Sequence, residues 1–151
     1  MSGVTIGTSA PIELSQDEKA DAGLAHALMI STWWIGPRII FVVKRQSRFV
    51  SFHALQALIW QIIFTVSYVF GIFLIFAMVL KTVFTMPRGA APGPDQLPIA
   101  LFITFPIFWL IVMSGMVISM TLGIVYCLRA MRGQWSGYPV IGNWARRILG
   151  E

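Results

Sequence analysis

Between Gly23 and Leu128 the chain is almost entirely apolar, interrupted only by one basic cluster and one proline-rich stretch. That pattern leaves few folds open. The apolar segments run from about 23 to 43, 52 to 83 and 99 to 128. A hydrocarbon core about 30 Å thick takes roughly 20 helical residues. The first segment is just long enough, and the other two, each about 45 Å long at 1.5 Å per residue, outrun the bilayer and must tilt or project. Between them Met86 to Pro98, MPRGAAPGPDQLP, carries four of the eight prolines and reads as a surface loop. With 57% hydrophobic residues, 11% charged and a mean hydropathy of +0.77, so much apolar surface does not fit inside one small water-soluble core. The expected fold is an all-α integral membrane protein with three transmembrane helices and with interfacial helices near both ends.

The first segment is the ambiguous one. Gly36-Pro37-Arg38 interrupts it, and a proline inside a helix removes a hydrogen bond and kinks the axis. It is therefore either a kinked span or a re-entrant pair of half-helices, and the kinked span is the expectation. Ahead of it Ser15-Gln16-Asp17-Glu18 fits a capping box. Residues 1–14 are expected to be flexible and, lacking Lys, Arg and a long apolar core, not a cleavable signal. The membrane domain then covers 15–132, and 133–151 form a tail.

Basic residues near span ends set orientation. Lys44, Arg45 and Arg48 lie between the first two spans, and Arg129, Arg132, Arg146 and Arg147 follow the third, against Lys81 and Arg88 on the other side. The expected location is the inner, cytoplasmic membrane, with the C-terminus cytoplasmic. Three crossings put the N-terminus outside; a re-entrant first segment puts it inside.

Within the second helix His53, Gln56, Gln61, Thr65, Ser67 and Tyr68 share one half of the surface, while Leu55, Ile59, Ile62, Val66, Phe70 and Phe73 occupy the other. Polar groups without partners are costly in hydrocarbon, so the first face is expected to turn inward and the second toward lipid. Two uses fit the polar face: hydrogen bonds that tie helices together, the commoner case, or a groove that receives another polypeptide. Gly115, Ser119, Gly123 and Cys127 recur every four residues on the third helix, and Ser67 and Gly71 do so on the second, which predicts close packing of these two helices. Arg38 is close enough to Lys44 to snorkel to the headgroups. His26 reads as an interfacial hydrogen-bonding residue in a kinked span; in a re-entrant one it approaches His53, and a proton relay gains weight.

After the third span, Ile141, Trp144, Ala145, Ile148 and Leu149 share one face of a short helix, with Asn143, Arg146 and Arg147 elsewhere. This helix suits the cytoplasmic interface, with Trp135 and Tyr138 anchoring its approach and Trp144, Arg146 and Arg147 at the membrane surface beside Arg38, Lys44, Arg45 and Arg48. The lone Cys127 excludes an internal disulfide. No phosphate loop, no Ser/His/Asp set and no acidic residue inside a span points to an enzyme or a cofactor site. The basic residues form no dense patch with interleaved aromatics, so the partners expected are the lipid bilayer and other membrane subunits or substrate polypeptides, and no nucleic acid.

Five stretches carry a resemblance: Ser15-Gln16-Asp17-Glu18-Lys19; Leu24-Ala25-His26; Ile35-Gly36-Pro37 with Ile39-Ile40; Arg48-Phe49-Val50 with Phe52-His53-Ala54-Leu55-Gln56-Ala57-Leu58; and Gly133 with Tyr138-Pro139-Val140-Ile141-Gly142. Over about residues 15 to 145 the chain resembles a bacterial family of unknown function that is similar to the twenty-kilodalton membrane subunit of the chloroplast inner-envelope import translocon. The resemblance implies a non-enzymatic helper of protein translocation or membrane insertion. The alternative is an accessory subunit packed against a larger membrane complex.

Overall fold

A computed structural model describes residues 13–85 and 99–150, and within them the chain is helical with no strand. The elements are α1 (Gln16–Thr32), α2 (Ile35–Val43), α3 (Arg48–Thr85), α4 (Ile99–Met131) and α5 (Ile141–Leu149). The expectations for residues 1–12 of the N-terminus and for Met86–Pro98 lie outside the described residues.

The expected capping box is present: Glu18 N–H donates to Ser15 Oγ at 3.1 Å and Ser15 N–H to the Glu18 carboxylate at 3.0 Å. These bonds satisfy two amides that the first turn leaves open.

The first apolar segment is not one kinked span. It breaks at Trp33-Trp34, four residues before Pro37, and doubles back as a hairpin. Trp33 carries a positive φ of 59°, a conformation that costs a non-glycine residue on the order of 1–3 kcal/mol and is held only by its surroundings. Its indole N–H donates to Thr65 Oγ1 at 2.6 Å, which ties the reversal to α3. Pro37 falls in the first turn of α2, where its missing N–H costs nothing. At Gly36 a Cβ would run into Thr32 and Leu28, so the glycine lets the two arms close. Lys44 at the end of α2 comes back to Asp21 near the start of α1, Nζ to Oδ2 at 2.8 Å. That pair, with Lys44 exposed and Asp21 half-buried, lies near the surface and contributes little to stability; it marks where the arms meet.

Cross-helix pairs give the arrangement. From Glu18–Ser47 through His26–His53 and Gln61–Met29 to Trp33–Thr65, α1 and α3 rise side by side from the same end, here called the base. The helix α4 descends beside them, with Phe108 against Gly71, Gly115 against Phe64, Ser119 against Trp60, Gly123 against Ile30 and Met131 against Gly23. Beyond the hairpin tip only α3 and α4 continue among the described residues. At the base they are joined by α1, α2, α5 and residues 132–140.

Both α3 and α4 are apolar and long enough to cross a bilayer. The most apolar stretch of α3 has 0% of its residues buried and that of α4 only 11%, so these helices are not the core of a water-soluble bundle. The three-span expectation is corrected to two such helices plus a hairpin. The sequence pattern was misleading because the hairpin's combined length equals that of one span.

Candidate functional site: a buried polar junction at the base

The segment Arg132–Val140, between α4 and α5, is not helical. It folds back against α1 and α3 and must find partners for its backbone groups without a helix to supply them. Side chains of the other elements do this. Tyr138 N–H donates to Gln56 Oε1 at 2.6 Å, the Gly137 carbonyl accepts from Tyr126 O–H at 3.0 Å, and the Gln134 carbonyl lies 3.1 Å from His53 Nε2. Gln134 N–H donates to the Arg129 carbonyl at the end of α4, and within the segment Ser136 N–H donates to the Gln134 carbonyl.

The two histidines join this segment to α1. His26 Nδ1 lies 2.9 Å from Tyr138 Oη, and His26 Nε2 lies 3.0 Å from His53 Nδ1. Both imidazoles are fully buried. Proton positions follow from the fixed end. A carbonyl only accepts, so His53 Nε2–H donates to Gln134. In a neutral imidazole the other nitrogen accepts, so His26 Nε2–H donates to His53 Nδ1 and Tyr138 O–H donates to His26 Nδ1. Two neutral imidazoles and one phenol thus form a one-way chain with every site filled. It ends on a backbone carbonyl, and so serves as a pin rather than a path for protons. Rings enclose it: Tyr126 and Tyr138 meet at 4.3 Å between centroids, Phe49 and His53 at 4.7 Å.

The sequence-derived polar face divides along its length. His53, Gln56 and Gln61 are buried, and Gln61 Nε2 donates to the Met29 carbonyl of α1 at 3.0 Å. Thr65 receives the Trp33 indole and donates to the Gln61 carbonyl. Tyr68 stacks on Phe108 of α4 at 6.0 Å. Ser67 is exposed, which corrects its assignment to helix packing. Gly71, Gly115 and Gly123 do pack, but they receive Phe108, Phe64 and Ile30, larger side chains rather than another small-residue stripe. Ser119 Oγ accepts from the Trp60 indole at 2.8 Å.

On the opposite face Ile62, Val66, Phe70 and Phe73 are exposed, whereas Leu55 is buried against Ala145 of α5. The expectation that Leu55 meets lipid is therefore corrected. The apolar face of α5 is shared: Ile141 and Ala145 are buried, while Trp144 and Ile148 are exposed. Gly137 and Gly142 approach so closely that a Cβ on Gly142 would stand 2.7 Å from Gly137 Cα. Arg38 lies over the Trp34 ring at 5.9 Å and Arg146 over Phe52 at 5.6 Å; Arg38, Lys44, Arg45, Arg48, Arg146 and Arg147 are all exposed. At the base Ser47 O–H donates to Glu18 at 2.7 Å, and this bond, followed by the Ser15 amide, holds the Glu18 carboxyl below its ordinary value of 4.5. Among the described residues no three His, Cys, Asp or Glu side chains gather as a metal site.

Tyr138, expected as an interfacial anchor, is instead buried on His26 and Gln56, and Tyr126, Gly137 and Gly142 were missed as parts of the junction. The only signal was local: an aromatic and glycine-rich segment with no helical period, directly after a span.

A two-span helical core with one end sealed by a buried polar junction defines a small integral membrane protein. The chain belongs to the magnetosome magnetite crystal formation protein family, whose profile matches residues 17–145. No curated protein and no solved structure matches it. The assignment to a translocon-like family is corrected by this match, and the protein-transport role goes with it. The structure supplies a physical reason for the error. In FHALQAL, residues Phe52, His53, Leu55 and Gln56 are all buried at the junction, as is Tyr138 of the last of the five stretches. A motif made of junction residues reports how the chain folds and carries little about its task.

Proposed function

We propose that the chain is a non-enzymatic protein of the membrane in which magnetite crystals form, acting through its position in that membrane rather than through chemistry on iron. The observation that carries this reading is the family match over residues 17–145. The charge distribution supports it. Between α3 and α4 the sequence holds a single carboxylate, Asp95, whereas Glu13, Asp17, Glu18 and Asp21 all precede or open α1. A crystal-facing stretch of sequence with one acidic residue offers iron few hard oxygen ligands.

In this reading α3 and α4 cross the inner membrane or a membrane derived from it. The hairpin enters and leaves from the base, so the N-terminus, the turn at Lys44–Arg48 and the C-terminus all face the cytoplasm, where lysine and arginine are retained. Residues 86–98 face the crystal side. Its partners are the lipid bilayer and neighbouring membrane proteins, with no nucleic acid and no cofactor.

The test is complementation in a magnetite-forming host lacking this chain, with crystal dimensions measured by electron microscopy. The wild-type sequence and Asp95→Asn are expected to restore crystal size equally. Failure of Asp95→Asn, with the protein present in the membrane at normal level, would place chemistry at the crystal face and overturn the reading.

A further inference from the structure

The hairpin is half as deep as a membrane. Its tip is marked by the hydrogen bond from Trp33 to Thr65, and Thr65 stands 17 residues after Arg48 and 16 before Lys81, the cations near the two ends of α3. Arg48 and Lys81 are thus about 50 Å apart along the axis, and a tilt of roughly 30° fits them to a bilayer of about 40–45 Å with its headgroups. The tip then falls at the midplane. The same depth follows from the arms: from the Asp21–Lys44 pair to Thr32 is about 16 Å of helix, one leaflet of hydrocarbon. The outer side of α2 carries Ile35, Ile39, Val42 and Val43, 52–66% exposed, with Lys44 and Arg45 at its foot. That is the surface a lipid leaflet fits: apolar to mid-depth and cationic at the headgroups.

We infer that this protein is a one-leaflet wedge that generates and selects membrane curvature. In the leaflet holding the base, α1 and α2 stand beside α3 and α4; in the other leaflet only α3 and α4 remain among the described residues. Two extra cylinders, each about 10 Å across, occupy roughly 160 Å² more of the first leaflet than of the second. An inclusion wider in one leaflet relaxes when that leaflet is the convex one. The wedge also holds its shape, because the histidine–tyrosine chain and the Gln61–Met29 bond fix α1 to α3 and Gly36 lets α2 close on α1. The inference goes beyond the proposed role in crystal formation and rests on the crossing of the bilayer by α3 and α4 and on hairpin depth, whichever compartment the base faces.

Two measurements on the full chain reconstituted in phosphatidylcholine–phosphatidylglycerol vesicles test it. With Cys127→Ser as background, a nitroxide placed at Ile39 by Ile39→Cys is expected to collide readily with oxygen and rarely with a water-soluble nickel complex. Ready collision with nickel puts the hairpin in water; protection from both reagents puts a second protein copy over it, and either overturns the wedge. In membrane tubes drawn from giant vesicles, molecules whose labelled C-terminus faces outward should be enriched severalfold over the flat membrane, and inward-facing ones depleted. The Ile39→Asp/Val42→Asp pair alters only lipid-facing positions and should abolish this sorting, while Ile39→Ala/Val42→Ala keeps it. Equal density on tubes and flat membrane for the wild-type chain, or undiminished sorting of the Asp pair, would refute curvature selection.

Discussion

His26 and His53, on different helices and 27 residues apart, share one hydrogen bond of 3.0 Å in a site closed to solvent, and together they fix α1, α3 and the segment after α4 to one another. Neither ring has a free nitrogen. The pair is therefore a structural joint whose strength can be measured by removing one member at a time.

Tyr138→Phe takes away the donor to His26 Nδ1 and leaves a buried acceptor bare, which costs about 1–3 kcal/mol. Gln56→Leu likewise strands the Tyr138 amide, with a loss of the same order. Both variants should insert normally and melt earlier in mild detergent. A melting temperature unchanged for both would mean that the junction is not closed. In a double-mutant cycle, Tyr138→Phe and His53→Ala should be non-additive, because removing either interrupts the same chain.

Gly142→Ala tests the attachment of α5. The new methyl group would meet the backbone of Gly137, which cannot yield as a flexible side chain can. We expect α5 to leave α3, exposing Leu55 and opening the bonds after Arg146 and Arg147 to trypsin. Cleavage no faster than in the wild-type chain would show that the Gly137–Gly142 approach does not hold the tail.

The base should loosen in acid. Because the Glu18 carboxyl is held below its ordinary value of 4.5, the stabilisation from its bonds to Ser47 and Ser15 is fully present above that value. It is lost as pH falls through the lower folded value. Amide hydrogen exchange at residues 15–19 should therefore accelerate in that acid range beyond the intrinsic pH dependence, and Glu18→Gln should abolish the excess. An excess that persists in Glu18→Gln would assign it to another group.

Much of this was legible in the sequence, and the rest was hidden for definite reasons. Ser15 and Glu18 announced the start of α1 because a capping box is local chemistry. Inward burial of His53, Gln56 and Gln61 followed from helical period and the cost of bare polar groups in hydrocarbon. What their partners would be did not, because the Gln134 carbonyl and Tyr138 amide lie 81 and 82 residues away and are backbone groups with no sequence signature. The hairpin was the stated alternative to a kinked span, and only the place of its turn was hidden. Gly36 and Pro37 drew attention, yet the chain reverses at Trp33-Trp34, where no glycine or proline marks the turn. The family was hidden by the same residues that suggested another one, since those residues encode the junction.

The chain from Ser15 to Arg48 enters and leaves the membrane at one side in the hairpin arrangement. Single cysteines introduced by Gln16→Cys, Ser47→Cys and Gly93→Cys, each with Cys127→Ser, can be labelled with a membrane-impermeant maleimide in right-side-out and inverted membrane vesicles. Positions 16 and 47 are expected to label together, in inverted vesicles, and position 93 only in right-side-out ones. Labelling of 16 from the side opposite to 47 would mean that the first apolar segment crosses the membrane, and would contradict the hairpin on which the account stands.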